Sequence, residues 1–214
     1  MLDVTVRAAI GRWQASGEAD GPYGRQRACL PAALSYVDAM RMVLIAAQSL
    51  DGFIAKHDTP GTAFTSPEDK AYFRAVLPSF DVAILGGATY RASRDAIRAL
   101  LPSRQLRMIV TRTPGRYAAE AVPGSLEFTD AVPAVLAAEL RGRGFQHCAV
   151  LGGSQVYSLF LEAGLVDEVW LTVEPVLFGG GTPLLAHTTD VRLDLQAVEK
   201  LGPHTVRLQY SALR

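Results

Sequence analysis

From Arg41 onward, short apolar runs alternate with stretches whose apolar residues recur every three or four positions. Met42 to Ala47, Val82 to Leu85 and Cys148 to Leu151 are continuous apolar runs, the pattern of strands buried on both faces. Leu106 to Thr111, Leu126 to Phe128 and Asp167 to Val173 predict three more strands. Val191 to Ala197 and His204 to Ala212 predict a closing hairpin or meander. Between these runs the spacing turns helical. Tyr72, Phe73, Val76 and Leu77 share one face of a helix that opens at Pro67. Ser66 is its natural N-cap, and Asp69 completes a Ser-x-x-Asp capping pattern. Val132 to Arg141 and Ser154 to Ala163 predict further helices, each followed by glycine. Apolar strands alternating with helices predict a mostly parallel sheet covered on both faces.

Residues 1–40 break this rhythm. Two short helical candidates, Val4 to Gln14 and Pro31 to Met40, flank a segment rich in glycine and charge. They read as an N-terminal arm of unknown role before a main domain at 41–214. The first residues carry an early acid and no long apolar stretch, so no secretory leader is expected. Twenty-one basic residues balance twenty-one acidic ones, which argues against nucleic acid or an anionic membrane as partner. Cys29 and Cys148 have no zinc-site spacing and read as free thiols of a cytoplasmic protein, and no metal is expected.

Two segments repeat one device. Leu85-Gly86-Gly87-Ala88-Thr89-Tyr90 and Leu151-Gly152-Gly153-Ser154-Gln155-Val156-Tyr157 both run strand, Gly-Gly, helix. A helix that starts beyond the carboxyl end of a strand aims free N–H groups and a positive dipole end at an anion. Glycine lets the backbone approach that anion closely. Either turn alone is equally a tight strand-to-helix connection; two together could hold the halves of a dinucleotide. Neither a G-x-G-x-x-G fingerprint after a strand nor a P-loop is present, so a nucleotide site here is of another type.

Five segments, in order and spacing over roughly residues 41–185, resemble dihydrofolate reductase and the reductase domain of the riboflavin-pathway deaminase/reductase. The resemblance implies a dihydrofolate-reductase-like α/β fold: three layers, α/β/α, with a mostly parallel central sheet and an antiparallel C-terminal strand or hairpin. It implies NADPH as cofactor. Ile45-Ala46-Ala47 and Leu50-Asp51-Gly52-Phe53-Ile54-Ala55 resemble the first strand and the start of the mobile loop over the nicotinamide, which gives Ala47 and Ile54 backbone contacts to the carboxamide. Phe64-Thr65-Ser66-Pro67-Glu68-Asp69 with Phe73 resembles the W-x-x-P-x-D-x-x-x-F segment. Asp69 then supports protonation of the substrate, and Phe73, Ser66 and Phe64 line its pocket. Gly86, Gly87 and Thr89 match a phosphate turn. Thr111 and Arg112 match the site of the adenosine 2′-phosphate. Gly152, Gly153, Ser154, Gln155 and Val156 match the pyrophosphate loop, whose Gly-Gly peptide is cis in the family. Thr172 matches a strand threonine that bridges to the acid.

The stretches Gly164 to Val169 and Pro175 to Gly181 resemble the riboflavin-type reductases more than folate reductase. The implied reaction is reduction of 5-amino-6-(5-phosphoribosylamino)uracil, with dihydrofolate or another pterin as the alternative. A nucleotide-binding protein without catalysis is the reading from a different class. The family commonly dimerises, so a homodimer is expected. Three positions depart from the family's substrate and cofactor patterns. Leu151 replaces an acid, Leu77 an arginine of the riboflavin type, and Gly87 an arginine of folate reductase.

Overall fold

The structure, a computed structural model, describes residues 40–59 and 61–213. The N-terminal arm and Cys29 lie outside these residues. The described elements are β1 (Arg41–Ser49), β2 (Phe53–Lys56), α1 (Pro67–Val76), β3 (Val82–Gly86), α2 (Gly87–Arg98), β4 (Leu106–Val110), β5 (Leu126–Thr129), α3 (Pro133–Gly142), β6 (His147–Val150), α4 (Ser154–Glu162), β7 (Glu168–Glu174), β8 (Gly181–Pro183), β9 (Leu193–Lys200) and β10 (Val206–Ala212). Eight strands form one sheet in the order β5-β4-β3-β6-β1-β7-β10-β9. The first six run parallel, and β10 and β9 close the sheet antiparallel. No helix among the described residues is long and apolar enough to cross a membrane.

Alternation along the buried strands sorts the core onto two faces. Met42, Leu44, Ile84, Met108 and Val150 pack with Leu136 and Leu140 of α3 and with Val156 and Phe160 of α4. Val43, Ile45 and Ala149 pack with Phe73 of α1, while Ala83, Leu85 and Ile109 pack with Tyr90 and Ile97 of α2. The fold is therefore three-layered, with α1 and α2 on one face and α3 and α4 on the other. Each large apolar side chain buried this way contributes roughly 1.5–3 kcal/mol. The neighbouring strands β3 and β6 feed helices on opposite faces, and such a divergence opens a crevice beyond their carboxyl ends.

Two elements differ from the sequence pattern. Residues 53–56 form a strand rather than the start of a loop: β2 pairs antiparallel with β8 in a separate two-stranded ribbon. Gly181 makes this pairing possible. Its φ is +148°, and a Cβ there would lie 2.2 Å from the Ala55 carbonyl oxygen. The hairpin strand β9 runs on to Lys200, because a bulge sets Leu195 opposite Tyr210 and Ala197 opposite Gln209. The skipped residue breaks strict alternation, which hides the strand's second half from a period-two reading.

Candidate active site

The two Gly-Gly turns lie side by side at the crevice. The Gly86 N–H donates to the Gly152 carbonyl at 2.6 Å. A Cβ on Gly86 would sit 3.1 Å from Val156, and one on Gly87 would sit 3.2 Å from Thr111. A Cβ on Gly152 would lie 2.4 Å from the Tyr157 ring, and the Gly152 φ of +83° already disfavours any side chain. The Gly152–Gly153 peptide is cis. Thr89 Oγ1 and Ile54 Cδ1 both approach Gly153, at 3.5 and 3.8 Å from a built Cβ. Gly86 caps α2 and Gly153 caps α4, and neither cap offers a side-chain acceptor to the first-turn N–H groups. The result is a glycine-walled cradle with two helix N-termini open to an anion. Thr111 and Arg112 stand just past the end of β4, with Arg112 exposed. Arg91 of α2, which the sequence pattern did not single out, brings Nη1 to 3.6 Å from the Gly87 position and bonds the Tyr117 hydroxyl.

The acid lies beside β7, the strand that pairs with β1. Asp69 is only 8% exposed. Burial pushes its carboxyl above the ordinary range, and the neighbouring Thr172 and Thr65 hydroxyls offset this only in part. Thr172, buried on β7, pairs in register with Ala47 of β1, so strand geometry sets Ala47 beside the acid's partner. Ser66 caps α1, its Oγ accepting from the Asp69 N–H at 3.1 Å. Phe73 packs into the core cluster of Val43, Ile45, Phe80 and Ala149. Phe64 meets Phe178 edge to face at 5.1 Å. The acid and threonine thus converge, whereas Phe64 joins the loop after β7.

That loop is pinned to the Ser49–Gly52 turn. The Asp51 carboxylate accepts from the Ser49 hydroxyl and from the Phe178 and Gly179 N–H groups, which hold it below the usual carboxylate range. Farther on, the Pro183 carbonyl accepts from the Ser154 hydroxyl at the start of α4. The ribbon is therefore tied both to the cradle and, through the Asp51 turn, to the loop after β7. Gln155 faces outward, while Val156 is buried against Gly86. Cys148 is buried on β6, and burial pushes its thiol far above the ordinary range, so it is no nucleophile. Sequence reasoning missed Glu174, a buried acid near Asp69. Its signal was an acid two positions from Thr172 on the same strand face.

Residues 41–207 match the family model described as the RibD C-terminal domain. The chain belongs to this family. The uncharacterized protein YwjB of Bacillus subtilis is 28% identical over 180 residues, covering 79% of this chain and 97% of YwjB. A solved diaminohydroxyphosphoribosylaminopyrimidine deaminase/5-amino-6-(5-phosphoribosylamino)uracil reductase from Thermotoga maritima superposes with a TM-score of 0.66 at 20% identity. That match covers 83% of this chain and 58% of the bifunctional one. The riboflavin biosynthesis reductase Rib7 of Saccharomyces cerevisiae superposes with a TM-score of 0.60 at 15% identity, covering 82% and 91% of the two chains. These two likenesses establish the fold.

Within this RibD-type frame the departures become structural facts. Leu77 and Leu151 are both partly buried, and both pack against the same two clusters, around Val43 and Ile45 and around Leu85 and Tyr90. Positions expected to carry an arginine and an acid carry apolar side chains that pack against the core instead. Gly87, in place of an arginine, leaves room for the Thr111 side chain.

Proposed function

We propose that the protein is an NADPH-dependent reductase that delivers hydride to a small electron-poor heterocycle. The observation that carries this is a buried Asp69, whose carboxyl burial pushes above the ordinary range, in the same fold as two touching glycine turns that leave helix N-termini uncapped. The cradle fits a dinucleotide, because the two glycine turns touch and the first-turn N–H groups of α2 and α4 have no side-chain cap. Gly86, Gly87 and Thr89 would hold one phosphate, and Gly152 to Val156 the pyrophosphate. Thr111 and Arg112 would take the 2′-phosphate, where a guanidinium forks onto phosphate oxygens. Ala47 and Ile54 would meet the nicotinamide carboxamide through their backbones. The bound cofactor supplies the hydride. Asp69 holds a proton for the reduced ring, Thr172 orients Asp69, and Phe73, Phe64 and Ser66 bound the substrate's space. Membership of the RibD family supports 5-amino-6-(5-phosphoribosylamino)uracil as first candidate substrate. Leu77 and Leu151 favour the second class, a dihydropterin, because neither offers a charge to a ribosyl phosphate.

Oxidation of NADPH, followed by absorbance with each substrate in turn, separates these readings. Turnover of the phosphoribosyl compound supports the first, and turnover of dihydrofolate the second. Tight NADPH binding with neither turnover supports a non-catalytic nucleotide binder. Asp69→Asn is expected to keep NADPH affinity and lower turnover about a hundredfold or more. Full activity of this variant at every pH removes the acid role.

A further inference from the structure

Ser66 stands where a capping box puts its serine, yet only half of the box forms. Its Oγ accepts from the Asp69 N–H. The reciprocal bond, which the side chain three residues on would normally accept, goes elsewhere. The Ser66 N–H donates to Glu174 Oε1 at 2.8 Å, and the Ser66 hydroxyl donates to the same oxygen at 2.9 Å. Thr205 Oγ1 donates to Oε2 at 3.1 Å. Glu174 is 2% exposed and, among the described residues, sits in no ion pair. Burying a carboxyl group without a cation is costly, and the three hydrogen bonds from Ser66 and Thr205 offset that cost. Glu174 and Thr172 lie two apart on β7 and project from the same face, and Thr172 is beside Asp69.

We propose that Glu174 is a positioning residue for Asp69: it takes the Ser66 N–H, leaves the Asp69 carboxyl to Thr172 and Thr65, and sets a second negative charge beside it. A carboxylate capping its own helix is held ionised by the N–H groups and the dipole. Asp69 escapes that role because Glu174 fills it from β7. The neighbouring charge further disfavours ionisation of Asp69, in addition to the larger effect of burial. Lys70 on α1 acts in the opposite sense. Tyr72 faces Asp69 from the same helix and is held by Arg207 of β10, which also pairs with Glu199 of β9. Glu68 and His204 line, with Glu174 itself, a cavity of about 180 Å3. The β9–β10 turn closes this region, since a Cβ on Gly202 would lie 2.7 Å from the Glu68 side chain.

The inference rests on Asp69 as the acid proposed above, but its test needs neither substrate nor cofactor. The Asp69 carboxyl carbon is titrated by 13C NMR in the parent, in Glu174→Gln and in Glu174→Asp, with the resonance assigned by its loss in Asp69→Asn. Glu174→Gln keeps size and an acceptor but drops the charge, so Asp69 should titrate lower by about half a unit or more. Glu174→Asp keeps the charge, and its shift should be less than half as large. A purely structural role predicts the reverse order, because glutamine is isosteric and aspartate is shorter. That reverse order, or no movement in either variant, overturns the proposal. If only Glu174→Gln folds, a fall of about half a unit or more supports the proposal and no movement overturns it; if only Glu174→Asp folds, a fall of about half a unit or more overturns it and a smaller one supports it. Loss of the acid role in the turnover assay would leave this titration result standing, so the two failures are distinguishable.

Discussion

Asp69 shows how one carboxyl can be legible in the chain and still be misread. The Ser-x-x-Asp spacing predicts a capping acid, and Ser66 does cap α1. The acid itself is turned away, because a glutamate more than a hundred residues later takes the cap's N–H. No local pattern carries that exchange. It has a consequence for stability. Burial raises the folded value of Asp69 above its unfolded one, so the folded state holds an extra proton between the two. Stability therefore falls as pH rises through that window. Asp69→Asn should melt higher than the parent at pH 7, and the gap should close below about pH 3.9, the ordinary value for an aspartate. Calorimetry across that range checks it, and equal melting temperatures at every pH would contradict it. Arg112, by contrast, is exposed, and its value rests on what it binds. Arg112→Ala should weaken NADPH at least about tenfold while barely changing NADH. Titration of both nucleotides by fluorescence reads this directly, and equal weakening removes the 2′-phosphate from the site.

Among the elements, the two glycine turns were legible because glycine pairs at strand ends stand out in any chain. Their contact with each other was not, because β3 and β6 become neighbours only through the sheet order. The Gly152 position is the most demanding. An alanine there meets the Tyr157 ring, whose hydroxyl is tied to the Ile45 carbonyl at 2.8 Å and cannot swing aside. With the positive φ, Gly152→Ala should cost about 3 kcal/mol and lower the melting temperature by several degrees. Gly115, with open space around its Cβ position, serves as the neutral control. The ribbon of β2 and β8 was the element the pattern concealed. Four residues and three residues are too short to show a period, and Gly181 reads as loop until its partner strand is known.

At the scale of the molecule, the alternation of apolar runs and helical spacings gave the three-layer class, since strands buried on both faces need helices on both. It did not give the order of strands, which depends on which edges meet in space. That order places β1 between β6 and β7, with Arg41 opposite His147 and Ala47 opposite Thr172. Both partners are synthesised about a hundred residues after β1. On the ribosome, the strand that carries Ala47 therefore waits with both edges unpaired until β6 is made, and with one edge open until β7 follows. An apolar strand in that state is open to pairing with another molecule. A nascent chain halted before β7 thus holds Asp69 and both glycine turns but lacks Thr172 and Glu174, so the acid is without its β7 neighbours while one edge of β1 stays open.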